Sequence, residues 1–166
     1  MIDQRMWRIM QKRLSYTDEE VELFKKNPRN EEVLSKSEEL SKIRFKATVV
    51  DAHGCNSRHK AGEEFLIDGH GNLVKELNPD RICIYALSAL FTLIFTAQEL
   101  IYTGVDPNQM RFNRVGCIDV GLNCGGWGKI ILELTVEEKP VECCVLRLIR
   151  HLRCASLGRL PFGTFG

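Results

Sequence analysis

The sequence has no bias of charge. Its 166 residues carry 23 basic and 22 acidic side chains, a net charge of +1, so nothing draws it globally to nucleic acid or to an anionic membrane surface. It also lacks repeats and low-complexity segments, and its length fits one domain with an appendage, enough to bury a core. The N-terminus, MIDQRMWRIMQKR, is charged throughout and has no apolar stretch of the kind a secretory signal needs. A reducing cytoplasm is the expected compartment, and a disulfide framework is not expected there. Yet the chain holds seven cysteines, an odd number, with no Cys-x-x-Cys pair among them. Those thiols are core filler, metal ligands or a nucleophile.

What the chain does have is one long uncharged run, residues 82–97, inside the stretch NPDRICIYALSALFTLIFTAQELIYTG at 78–104. Asn78 suits a helix N-cap, Pro79 the first helical position, and Asp80 the positive end of the dipole. Gly104 supplies a stop. Apolar side chains on every face mark a core helix or a membrane span, and this run is shorter than the roughly 20 residues a bilayer requires. The stretch predicts a buried helix, open to a break near Ser88, around which the rest is built.

Residues 1–43 read as short helices. Ile2, Met6, Ile9, Met10 and Leu14 stand near helical spacing beside Trp7, and Thr17-Asp18-Glu19-Glu20 is a capping box. The helix it starts stops before Asn27-Pro28, and a third covers roughly residues 30–42. Acidic and basic residues alternate here, which argues against a nucleic-acid role. The segment is expected to pack on the core or on a second subunit through Met6, Trp7, Met10 and Phe24.

At Ile43 the period changes to two. Ile43, Phe45, Ala47 and Val49 alternate with Arg44, Lys46 and Thr48, the pattern of a half-buried strand. A polar loop over 51–62 leads to a second strand at 64–68, and Gly69-His70-Gly71-Asn72 makes a tight reversal. Residues 111–120 and 129–137 predict two further strands, paired as a hairpin. The glycine-rich loop between them, 121–128, lacks the Lys-Ser/Thr ending of a phosphate loop and precedes a strand, so it reads as a hairpin connection. Residues 140–158 have an amphipathic pattern through Val141, Cys144, Val145, Leu148 and Leu152. The expected fold is α+β: an antiparallel sheet of about four or five strands packed on the hydrophobic helix. It divides into a helical N-terminal extension (1–43), a core domain (44–137) and a C-terminal amphipathic segment with tail (138–166).

The residues with chemistry are Cys55 and His59 in the polar loop, Cys83 at the start of the apolar helix, and Cys117 on the third strand. Thiolates and imidazole together suit tetrahedral zinc or a mononuclear iron, with His53 and Cys124 as substitutes. A helix N-terminus also lowers a thiol pKa, so Cys83 could be a thiolate without metal. Free cysteines are equally at home as small buried residues. Asp51 and Asp119 could act as acid or base, or orient a ligating histidine; both also suit strand ends.

Gly54-Cys55 … His59-Lys60-Ala61-Gly62-Glu63-Glu64-Phe65, then Pro79 … Ile82-Cys83 … Ala86-Leu87, then Gly116-Cys117-Ile118-Asp119, together resemble a small uncharacterised prokaryotic domain family frequent in anaerobes. Its pattern is a Cys, an H-K-x-G-(D/E)-x-F strand entry, a Cys before an Ala/Leu-rich helix, and a late Cys-x-Asp. The resemblance spans residues 44–137. It implies a compact α+β domain and no particular reaction. Here the proline that often follows the late Cys is absent and the glycine-rich loop is longer.

Three functions follow. The first is a small cytoplasmic protein binding zinc or iron through Cys55, His59, Cys83 and Cys117, structural or acting on a small molecule. The second is a metal-free subunit or binding module that oligomerises through its N-terminal helices. The third is a thiol enzyme using Cys83 or Cys55 with His59 as base.

Overall fold

A computed structural model describes residues 2–140. The expected segment beyond residue 140 lies outside the described residues. The architecture is α+β. Strands β1 (Ile43–His53), β2 (Glu64–Asp68), β3 (Arg114–Gly116) and β4 (Lys129–Glu138) form one antiparallel sheet in the order β2-β1-β4-β3. The alternation read in β1 is realised: Phe45, Ala47 and Val49 are fully buried. A bulge between Val49 and Asp51 then shifts the register against β4, so that Ala52, not Asp51, turns toward the core. This bend delivers the chain into the polar loop.

Four helices precede the sheet. Asp3 caps α1 (Gln4–Leu14). Thr17 and Glu20 form the reciprocal capping box of α2 (Asp18–Lys25), at 3.2 and 2.7 Å. The third expected helix is two, α3 (Pro28–Ser35) and α4 (Ser37–Lys42), separated at Lys36. Trp7 packs edge-on against Phe24. Met6, Met10 and Phe24 face Leu40 and Tyr102 across a cavity of about 300 Å³.

The apolar helix differs from expectation in two ways. Helix α5 runs Ile84–Tyr102 and is capped from Cys83, not Asn78. The Asn78 amide instead bonds the backbone of its neighbours: it receives the Leu66 N–H (2.9 Å) and donates to the carbonyls of Leu66 (2.6 Å) and Val74 (2.8 Å). An asparagine that satisfies a strand edge in this way is lost to the helix. Nor does α5 break at Ser88, whose hydroxyl donates to the Tyr85 carbonyl within the helix.

Only one face of α5 is buried. Ala86, Leu90, Leu93, Ala97 and Ile101 pack on the sheet against Phe45, Phe65, Ile130, Leu132 and Leu134. On the other side Ile84, Phe91 and Phe95 are exposed, Phe91 at 69%, with Phe91 and Phe95 stacked on each other. By length and composition alone α5 could cross a membrane; here its inner face is the lid of the sheet.

Candidate functional site

The start of α5 meets the polar loop and the β3–β4 hairpin at one end of the sheet. Between them lies a cavity of about 240 Å³. Cys55, His59, Cys83 and Cys117, which the sequence scatters over three elements, all line it. Ser57, Tyr85, Asp119, Trp127 and Lys129 complete much of its wall.

The polar loop reaches the cavity by a turn in which the Arg58 N–H donates to the Cys55 carbonyl at 2.9 Å. Arg58 adopts a left-handed φ of 63°, and the chain then drops His59 inward. His59 is only 4% exposed, and its ring stands edge-on to Phe65 with centroids 5.1 Å apart. Nδ1 lies 2.7 Å from Glu63 Oε2. On the other side, Nε2 accepts the backbone N–H of Cys83 at 3.3 Å. The imidazole therefore ties the loop to the cap of α5.

Cys83 stands at that cap, its carbonyl accepting the N–H groups of Ala86 and Leu87, both at 3.1 Å. Burial alone would push its thiol up, but the Ser57 hydroxyl and the backbone amides of Ala86 and Tyr85 outweigh burial and hold it below its ordinary value. Cys117 continues the β3–β4 pairing through its N–H to the Ile130 carbonyl (3.1 Å). Its sulfur accepts the Ile130 N–H at 3.4 Å and lies 3.8 Å from the Asp119 carbonyl.

Asp119 organises the glycine-rich loop. Its carboxylate accepts the N–H groups of Gly121 (3.0 Å), Trp127 (3.0 Å) and Gly128 (3.1 Å). These backbone donors, Gly121 and Gly128 foremost, hold its carboxyl below the usual range against a weak opposing effect of burial. The loop is a hairpin connection, as expected. Gly128 presses on the polar loop, since a β-carbon there would come within 2.2 Å of the Gly54 carbonyl oxygen.

The other sequence candidates stand apart from the cavity. Asp51 pairs with Lys129 across the sheet at 3.1 Å, both half exposed. His53 and Cys124 are exposed and do not line it. His70, in the tight reversal after β2, is partly buried beside Met10 and Leu40; burial, with the Arg13 charge, pushes its pKa down. Ser57 and Glu63 escaped the sequence reading as functional groups. The spacing His59-x3-Glu63 was the only signal for one of them, and nothing local pairs Ser57 with Cys83.

As the side chains stand, no group of three or more His, Cys, Asp or Glu among the described residues is set to hold a metal ion. The arrangement instead offers three thiols and an imidazole around one cavity, with the Ile130 N–H directed at the Cys117 sulfur. Comparison with known proteins finds no family model, no curated protein and no solved structure that matches this chain.

Proposed function

We propose that this chain is a small metal-binding protein whose Cys/His centre takes zinc or iron on Cys55, His59, Cys83 and Cys117. One observation carries the reading: four residues from three distant parts of the sequence line a single cavity. A thiol enzyme requires one or two of these cysteines to meet, whereas a soft metal requires all of them. At Cys83 the surroundings favour the thiolate. The Ser57 hydroxyl and the Ala86 and Tyr85 amides hold its thiol below the ordinary value against burial; hydrogen bonds to the charged form favour it.

Ligation asks for local adjustment. The thiol side chains reorient among their staggered χ1 wells, and His59 gives up a bond to Cys83 N–H that, at 3.3 Å, is longer than the usual ~2.9–3.0 Å. Four protein ligands make a closed structural centre; three with one open position make a catalytic one that polarises a substrate or activates water. Metal analysis of anaerobically purified full-length protein tests the reading. It expects close to one zinc or iron per chain, lost in Cys55→Ser, Cys83→Ser and Cys117→Ser.

A second reading rests on Cys83 itself. With its thiol lowered by Ser57 and the helix amides, it is a metal-free nucleophile, and His59 beside it is the proton acceptor. Metal-free protein whose Cys83 alkylates faster than its other thiols at neutral pH favours this second reading over the first.

A further inference from the structure

We propose that Glu63 is a positioning residue that holds His59 in one tautomer, with Nδ1 protonated and Nε2 unprotonated and facing the Cys83 backbone. The inference rests on the metal reading for what Nε2 does, but not for how the ring is held.

Two independent contacts fix the tautomer. The group 3.3 Å from Nε2 is the Cys83 backbone N–H, which can only donate, so Nε2 is the acceptor. A neutral imidazole with an accepting Nε2 carries its proton on Nδ1, and the atom 2.7 Å from Nδ1 is a carboxylate oxygen, which accepts it. For the neutral ring each contact assigns both nitrogens, and the two agree on one arrangement.

The surroundings make Glu63 specific to this task. Among the described residues its carboxylate pairs with no lysine or arginine; its one ionic partner is His59. Its main chain is held separately, the carbonyl accepting the Val49 N–H at 2.8 Å, so the side chain is not needed to pair β1 with the loop. The His59 side chain is 2% exposed and that of Glu63 28%, so the ring is largely shielded from solvent while Glu63 stands in place. Phe65 blocks the ring from one side. Carboxylate, histidine and metal in line is the arrangement that orients a ligating imidazole and raises its basicity. It also gives a physical reason for His59, Glu63 and Phe65 to occur together in the stretch that enters β2.

The test uses full-length protein, Glu63→Ala and Glu63→Gln, with two readouts. The first is the 15N signals of the His59 ring in metal-free protein, assigned against His59→Gln. Wild type is expected to show a protonated Nδ1 and a bare Nε2, and Glu63→Ala a mixture of tautomers. The second is zinc affinity by chelator competition, expected to fall about 10–100-fold in Glu63→Ala. Should Glu63→Ala not fold, Glu63→Gln carries the test, because it keeps the volume and an acceptor oxygen but loses the charge; its affinity is expected to fall about tenfold. Zinc binding that is unchanged in the folded variants, with the His59 signals unmoved, overturns the role of Glu63 and leaves the metal centre standing. Wild type that binds no zinc, but whose His59 tautomer is released in Glu63→Ala, overturns the metal centre and supports Glu63.

Discussion

Asp119 Oδ1 occupies the space that a side chain on Gly126 would need: a β-carbon there would lie 2.1 Å from it. The two residues define the glycine-rich loop. The carboxylate gathers three backbone N–H groups, and the chain wraps it closely because Gly126 has nothing to displace. Gly126→Ala is therefore expected to force the loop off Asp119. Overpacking of this kind costs about 1–3 kcal/mol, and at roughly 2–4 °C per kcal/mol for a chain of this size the melting temperature falls measurably. Gly125→Ala has open space but a left-handed φ of 83°, so its penalty is one of backbone strain without the loss of the Asp119 contacts.

The same carboxylate makes the loop acid-sensitive. The Asp119 pKa in the folded chain lies below its ordinary value because the Gly121, Gly128 and Trp127 amides bond the ionised form. A depressed folded pKa contributes stability that is complete above the unfolded value of about 3.9 and is lost as pH falls through the folded value. Trp127 fluorescence is expected to report loosening of the loop below about pH 4. In Asp119→Asn the loop signal should no longer titrate, while global unfolding in acid persists through Asp68 and Glu137, whose pKa values are lowered too.

The two faces of α5 predict opposite responses. Leu90 is 1% exposed within the core, and Leu90→Ala is expected to cost about 2–5 kcal/mol. Phe91 stands on the outer face, and Phe91→Ser is expected to stay within about 0.5 kcal/mol. Urea unfolding of both variants checks the pair; equal losses would mean that the outer face is also covered.

Ser57 is expected to matter to Cys83 and to no other thiol. Its hydroxyl is the leading influence that lowers the Cys83 thiol against burial, so Ser57→Ala should move alkylation of Cys83 in metal-free protein to higher pH. Mass spectrometry of each modified cysteine against pH reads this directly. An unmoved Cys83 profile contradicts it.

Much of the scaffold was legible because its signals are local. The alternation through Phe45, Ala47 and Val49, the limits of β2 and the Thr17–Glu20 box each need only a few neighbouring residues. Expectation failed where distant partners decide. Asn78 has every mark of a helix cap, yet Leu66 and Val74 claim its amide. The strand expected over 111–120 shrinks to Arg114–Gly116, since Phe112, Ile118 and Val120 project into solvent. Apolar residues around α5 predicted burial on all sides, but a single sheet covers only one. At the site, residue type marked Cys55, His59, Cys83 and Cys117. Ser57 and Glu63 carried no such mark, because a serine in a loop and a glutamate before a strand are ordinary until the fold sets Cys83 and His59 beside them.

The central claim is that three sulfurs and one imidazole share an ion. Cobalt(II) added anaerobically to metal-free full-length protein tests it most directly, because thiolate ligation gives intense charge-transfer absorption that oxygen and nitrogen ligands do not. The account predicts a saturable band at one cobalt per chain, reduced stepwise in Cys55→Ser, Cys83→Ser and Cys117→Ser and displaced by zinc. A titration with no thiolate band, on protein whose cysteines are shown to be reduced, would contradict it.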